Sequence, residues 1–437
     1  MSPFAWYRRL FRLAGTPYVV VAFLARLPLA MSQLGALLLV SETTGSYGLG
    51  GLAAGALAVG NAVGAPYAGA LADRLGQRQV VLVQSWAGAL SLVLLVVLVN
   101  AGAPDPATVA VAALAGLSMP QVGPLARVRW RPLTAGHAEQ RRLVDVAFAY
   151  EGAVDEASFA VGPALVGLGA VAISPGGALL MAAAMLAVFG TAFALHRTAR
   201  THRHDPRGAG AGGPAGHLLT PVLLVLILAQ LLIGMLFGAT QTGTTVLATE
   251  AGTPGVAGLV HATLGVGSAL AGIGTAFLPE RIGPERRMLA AASALFVLSL
   301  PLLLVGGLGT LVPAVAVLGC AVAPFMIAVF STAERVVVPT RVATAMTLLA
   351  SATGLGYAAG SSVAGRLADE HGHTAAFAVT VTAMALAAVL VALSQRRLRR
   401  ALVVREPSPE PSPEPSPESA PDPAPDSAVR EQVTIRR

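Results

Sequence analysis

The sequence predicts an all-α polytopic membrane protein whose spanning helices form two six-helix halves, and three observations lead to that class. Of its 437 residues, 55% are hydrophobic and 12% charged. A water-soluble domain carries about twice that charged share, so lipid must cover much of the outer surface. Apolar stretches long enough to cross a hydrocarbon layer of ~30 Å follow one another along the chain. Arginines collect in alternate loops, the pattern left when one side of a membrane retains the positive charge.

The elements follow in order. Met1 to Gly15 carries Arg8, Arg9 and Arg12 beside Trp6, Tyr7 and Phe11 and leads into an apolar run too long for a signal-peptide core, so that run is the first spanning helix. Helices one to three are expected at Pro17 to Val40, Tyr47 to Ala72 and Gln79 to Asn100. Four to six follow at Ala107 to Arg127, Val144 to Val171 and Gly176 to His196. Residues 197–217 are polar and glycine-rich and read as a linker between the halves, 1–196 and 218–396. Helices seven to nine are expected at Leu218 to Thr249, Pro254 to Leu278 and Met288 to Leu308. Ten to twelve complete the set at Leu311 to Arg335, Val342 to Ala368 and Thr374 to Ser394. The remainder, 397–437, becomes rich in Pro, Ser and Glu after Arg405 and is expected to be a disordered tail. The tail is either merely solvated or a docking segment.

Charge fixes orientation and excludes classes. The net charge of +7 comes from arginine alone, since the chain has no lysine. Most of those arginines sit in the N-terminus, at Arg74 and Arg78, between Arg127 and Arg142, in the linker, and at Arg281 to Arg287, Arg335, Arg341 and Arg396 to Arg400. All of these fall on one side, which places both termini in the cytoplasm of an inner, or cell, membrane. A loop distribution of this kind argues against a nucleic-acid partner. Without lysine there is no phosphate-cradling loop of an ATP-driven pump. Cys320, the single cysteine, permits neither an intramolecular disulfide nor a cysteine metal cluster. The sequence asks for no metal and no cofactor.

The most informative loop joins helices two and three and contains Gly69, Asp73, Arg74, Gly76 and Arg78. In order and spacing it resembles the signature loop of the major facilitator superfamily (MFS). Gly69 lets two helices approach closely. Gly76 suits a tight turn, and Asp73 at the helix end can accept hydrogen bonds across an interface. The resemblance implies the MFS fold of twelve helices and a latch that closes the cytoplasmic side; a loop that merely sets topology is the alternative. A weaker copy stands at 279–287, where an offset of 207 residues carries Asp73 onto Glu280 and Gly76 onto Gly283. Internal repetition of this kind fits two halves related by duplication.

Helix five carries Asp155 and Glu156 near mid-bilayer, about 16 Å from Val144. A carboxylate at that depth costs roughly 2.5–3.5 kcal/mol on insertion scales, so it must face protein or water, or take up a proton. The two acids point about 100° apart, so one of them faces the cavity. Arg26, about 14 Å into helix one, has the depth of a counter-ion, unless it snorkels to the interface. Gly162, Pro163 and Gly167 resemble the helix-five motif of proton-coupled efflux members; a kinked, closely packed helix gives the same residues. By family architecture, helices one, four, seven and ten surround a cavity, and here they carry Gln33, Gln121 and Gln241. Such groups could hold a mostly apolar solute or bond helix to helix.

The expected function is secondary active transport by alternating access, with proton-coupled efflux of a small amphipathic compound favoured over uptake and over a non-transporting scaffold or sensor. A hydrolase built on Ser268 and His261 lacks the remaining groups that chemistry needs. The expected partners are a small-molecule substrate, the proton and the lipid bilayer, and the working unit is expected to be a monomer.

Overall fold

The computed structural model describes residues 3–202, 219–253, 256–279 and 281–404. An amphipathic helix, α1 (Pro3–Ala14), precedes the first span, which is made of α2 (Thr16–Leu24) and α3 (Leu27–Thr44). Pro28 has no N–H to give Leu24, and the helix loosens at Ala25 and Arg26. There follow α4 (Tyr47–Leu75), α5 (Gln77–Asn100), and a fourth span broken before Pro120 into α6 (Asp105–Leu117) and α7 (Val122–Leu133). Next come α8 (Gln140–Ala172) and a sixth span of α9 (Pro175–Met185), a π-turn at Leu186–Gly190 and α10 (Thr191–Leu195). The second half holds α11 (Pro221–Glu250), α12 (Ala257–Thr275), α13 (Pro284–Ser299), α14 (Leu308–Val336) and α15 (Val342–Val404).

Local chemistry sets several of these starts. Ser174 accepts a hydrogen bond from the Gly177 N–H ahead of Pro175, and Thr220 does the same for Leu223 ahead of Pro221. Each pairs an N-cap side chain with a proline in the first turn, where the missing N–H costs nothing.

Among the described residues, eleven helical segments are long and apolar enough to cross a membrane, and no strand is present. The last, Pro339–Leu402, has 64 residues, about 96 Å of helix against ~30 Å of hydrocarbon. It is interrupted at Gly372, with φ 72° and ψ −170°. Thr344, on one side of that break, binds Asp73, and Gln395, on the other, donates to the carbonyl of Glu285. Asp73 and Glu285 both stand at the arginine-rich end, whereas His373 beside the break reaches Glu250 and the Val305 carbonyl. The chain therefore doubles back at Gly372, where the sequence expected helices eleven and twelve to meet.

The three largest departures from the expected boundaries are these. Residues 3–14 are helical because Leu10 and Ala14, fully buried, give the arginine-bearing segment one apolar face. The fourth span continues to Leu133, past Arg127. The last helix runs to Val404, past the expected boundary at 396. The linker from 203 to 217, Glu280 and the tail from 405 to 437 lie outside the described residues.

The offset of 207 also relates contacts. A Cβ on Gly60 of α4 would strike the Ala113 carbonyl of α6, and one on Gly116 the Leu57 carbonyl. Gly267 and Leu264, 207 residues after Gly60 and Leu57, meet Ala316 and Gly319 of α14 in the same way. Each half thus packs by the same close, glycine-lined helix crossing.

Between the halves, the helices touch at the arginine-rich end and separate toward the other. On α4 a Cβ at Gly69 would collide with Thr347 of α15. Gly51 and Gly365 lie five turns away on the same faces, ~27 Å along, and neither has anything within 4 Å. Likewise Gly272 of α12 meets Ala323 and the Ala153 backbone, whereas Gly265, two turns away, meets nothing within 4 Å. The molecule is closed at one end and open at the other.

Candidate functional site

Four charged side chains meet inside the first half. At the loosened turn, the Arg26 N–H bonds the Phe23 carbonyl, and the Ala22 carbonyl is taken at 2.8 Å by the Arg26 guanidinium instead. The rest of that guanidinium faces α8: Nε donates to Asp155 Oδ1 at 2.8 Å, and Nη2 donates to Glu151 Oε2. From α7, Arg127 pairs with Asp155 Oδ2 at 2.7 Å, and Trp130 Nε1 donates to Glu151 Oε1 at 2.5 Å. Glu151 and Asp155 are four residues apart and share one face of α8. A Cβ at Gly123 would lie 2.7 Å from Asp155 Oδ1, so the glycine makes room for the carboxylate.

Two cations and two anions make the cluster neutral, as buried charge requires, and Arg127 is held as an ion pair whose Nε and Nη1 make no aligned hydrogen bond. Its members differ in access. Glu151 is fully buried, the Arg26 and Arg127 side chains are 4% and 2% exposed, and Asp155 is 21% exposed. The Arg127 guanidinium also lies 4.4 Å over the Phe330 ring of α14, a cation–π contact that ties the cluster to the second half. Glu156, about 100° round α8, lies apart from Arg26 and beside Ser268 of α12.

The sequence paired Arg26 with Asp155, and the structure brings these two together. Arg127, Glu151 and Trp130 were not found. Arg127 looked like a retained-side loop charge because the apolar run of helix four ends there; the legible signal was Glu151, one helical turn before Asp155. Arg129, fully buried, donates to Gln77, Thr198 and the Phe193 carbonyl, bracing α7 against α5 and the end of the sixth span.

At the arginine-rich end, Asp73 reaches across to the start of α15. Its Oδ1 accepts from the Ala343 N–H at 3.0 Å, and its Oδ2 from the Thr344 N–H at 2.8 Å and hydroxyl at 2.6 Å. These are unpaired amides of a helix N-terminus, where an anion is favourable. Gly69 gives the approach, and Gly76 takes φ 89° in the turn that follows. Arg74 and Arg78 are exposed. A second clasp is its counterpart: Arg142 at the start of α8 donates to the Leu278 and Ala276 carbonyls at the end of α12. Ion pairs between Arg335 and Asp145 and between Arg131 and Glu334, at 2.6 and 2.9 Å, join the halves at the same end. Here α1 adds the Tyr7 hydroxyl, which donates to the Ile273 carbonyl at 3.0 Å. Burial pushes the Tyr7 phenol up to about 12, against the opposing pull of Arg142, so it stays a donor.

The other expected residues are placed as follows. On α8, Gly162 packs against Ala30 of α3 in front of Pro163, whereas Gly167 meets nothing and Gly169 makes the next close contact, to Ala178. Gln33 is exposed. Gln121 is buried and donates to Asn61 at 2.8 Å, and Gln241 accepts from the Tyr357 hydroxyl at 2.6 Å. Gln121 therefore bonds helix to helix, while Gln33 and Gln241 keep exposed surface.

The sequence matches the profile of the Major Facilitator Superfamily over residues 18–334 and again over 226–435. No curated protein sequence matches it. Among solved structures it is similar to the human organic anion transporter MFSD10 (TETRAN), at 22% identity and a TM-score of 0.67, covering 86% of this chain and 99% of that one. It is similar to a bacterial homologue of the iron transporter ferroportin in an outward-facing state, at 15% identity, a TM-score of 0.68, and 87% and 99% coverage. It also resembles the E. coli fucose:proton symporter, at 14% identity and a TM-score of 0.62, covering 87% and 98%.

Proposed function

This chain belongs to the major facilitator superfamily, and on that premise we propose that it exports a small amphipathic compound in exchange for protons, by alternating access across the inner membrane. In this reading the chain spans the membrane twelve times, works as a monomer, and keeps both termini and the arginine-rich end in the cytoplasm. The described arrangement is then the outward-open one, held shut below by the Asp73 and Arg142 clasps.

The observation that carries the reading is the neutral cluster of Arg26, Arg127, Glu151 and Asp155, with Asp155 its one partly exposed member. Glu151 is locked by Arg26 and Trp130 and holds Arg26 in place. Asp155 is the group a proton can reach from the open side. Taking up that proton leaves one negative charge against two guanidinium groups and weakens the hold on Arg127, whose other contact is Phe330 of the second half. The strength of that contact is therefore linked to the proton, which is the coupling an antiporter needs. Glu156 faces α12 and serves as the second acid, at the seam between the halves. Gln33 and Gln241 supply directional contacts to a largely apolar solute.

Retention of a panel of fluorescent amphipathic cations, anions and neutral compounds by efflux-deficient cells tests this. The wild type should lower retention of at least one compound, and Asp155→Asn or a protonophore should remove the effect. Higher retention than in empty cells would make the protein an importer, and no difference with any compound would remove the export assignment.

A further inference from the structure

Two adjoining cavities at the arginine-rich end belong to neither the charge cluster nor the clasps as such. One is a chamber of about 490 Å³ between the starts of α8 and α13 and the ends of α14 and α15. Seven arginines line it against three carboxylates, Asp145, Glu285 and Glu334. Asp145 is taken by Arg335 and Glu334 by Arg131, so the excess charge falls to exposed side chains such as Arg281, Arg286 and Arg399.

The other cavity is a groove of about 330 Å³, lined mostly by apolar and small residues of α13 and α14, with Asp145, Thr275, Leu278 and Ile282 at its edge. Ala290, Ala291, Ala294 and Leu298 form one face of α13, and Cys320, at the far end on α14, is exposed. The two cavities share Asp145, Ile282, Pro284 and Arg287, so the groove opens into the chamber. From Arg287 to Leu298 the groove runs 11 residues along α13, about 17 Å, which is half of a hydrocarbon layer of ~30 Å.

A cationic chamber at the membrane surface joined to an apolar groove one leaflet deep matches one kind of molecule. We propose that this is a binding site for an anionic phospholipid, with the phosphate head among the chamber arginines and an acyl chain between α13 and α14. Guanidinium groups recognise phosphate by charge-assisted, often bidentate hydrogen bonds, and a basic pocket between spanning helices on the positive side is suited to such a head. The chamber is bordered by the Arg335–Asp145 and Arg131–Glu334 pairs. A lipid there brackets the closed end of the molecule, whichever direction transport takes.

Native mass spectrometry of the full-length protein, titrated with dioleoyl phosphatidylglycerol, dioleoyl phosphatidylcholine or glycerol 3-phosphate, tests the site. The anionic lipid should bind at least about tenfold more tightly than the zwitterionic one, the scale set by several arginines beside one anionic head. The triple variant Arg281→Ala/Arg286→Ala/Arg399→Ala should erase that preference. Ala294→Trp, which fills the groove, should weaken the anionic lipid while leaving the response to glycerol 3-phosphate unchanged. Equal binding of both lipids, or a preference that survives the triple variant, would overturn the assignment. So would glycerol 3-phosphate binding as tightly as the lipid, which would make the chamber a site for soluble anions. If the preference emerges only after truncation at Val404, the acidic segment 406–426 fills the chamber, and the lipid assignment falls.

Discussion

Arg26 has three partners, one carbonyl and two carboxylates, each fixed by a neighbouring residue: Pro28 loosens the turn that exposes the Ala22 carbonyl, Glu151 sits a turn away from Asp155, and Trp130 holds Glu151. Removing one member of such a cluster strands a charge in a poor dielectric. Glu151→Gln should therefore destabilise the protein by about 3–5 kcal/mol, read as a lowered midpoint of thermal unfolding in detergent, while Glu156→Gln should be milder. The double change Arg127→Met/Asp155→Leu removes a whole pair and should keep most of the stability while abolishing transport. If that variant transports normally, the cluster is a structural brace only. Asp155 and Arg26 could be matched from the sequence by depth, but Arg127 could not. A rule that assigns arginines to loops has no means to see that one of them turns inward, and that depends on which faces of α3, α7 and α8 meet.

At the scale of elements, two glycines do opposite things. Gly69 is a contact: it permits α4 and α15 to touch, so that Asp73 can cap the start of α15. Gly69→Val should separate them and shift the population toward the form open at the arginine-rich end. The check is maleimide labelling of Thr347→Cys in a Cys320→Ser background, which should speed up several-fold. Gly372 is a conformation: φ 72° with ψ −170° lies in a region essentially reserved for glycine. Gly372→Ala should cost of order 1–3 kcal/mol of stability by the same unfolding assay. The sequence placed a loop at 369–373 because Asp369, Glu370, His371 and His373 interrupt the apolar run. The structure makes the reversal at a single residue, with helix on both sides. The amphipathic α1 escaped a reading tuned to spanning length, since twelve residues with three arginines register only as a charged flank.

Across the whole molecule, the contacts between halves at one end and the gap at the other make a direct prediction about distance. In substrate-free protein lacking Cys320, a short bismaleimide should join the pair Arg131→Cys/Glu334→Cys readily and the pair Gly51→Cys/Gly365→Cys poorly. Substrate together with a shift of pH should reverse the ratio if the halves rock. Cross-linking of both pairs at once would mean the halves do not part. The two clasps share a logic under the repeat: a carboxylate on α4 meets helix amides of α15, and an arginine on α8 meets helix carbonyls of α12. Each uses helix-end groups that no backbone partner satisfies.

By itself the sequence determined the solvent, the helical class, the spacing of most spans and the family to which the loop around Asp73 points. Those are written in composition, in the length of apolar runs and in local motifs, which depend on neighbours along the chain. Only the tertiary structure decided which arginines turn inward, which carboxylate keeps access to solvent, that Gln121 is spent on Asn61, and which end of the molecule is closed. Each of those turns on the rotation of one helix against another, and a difference of 100° between adjacent residues exchanges a buried partner for an exposed one without changing a single residue.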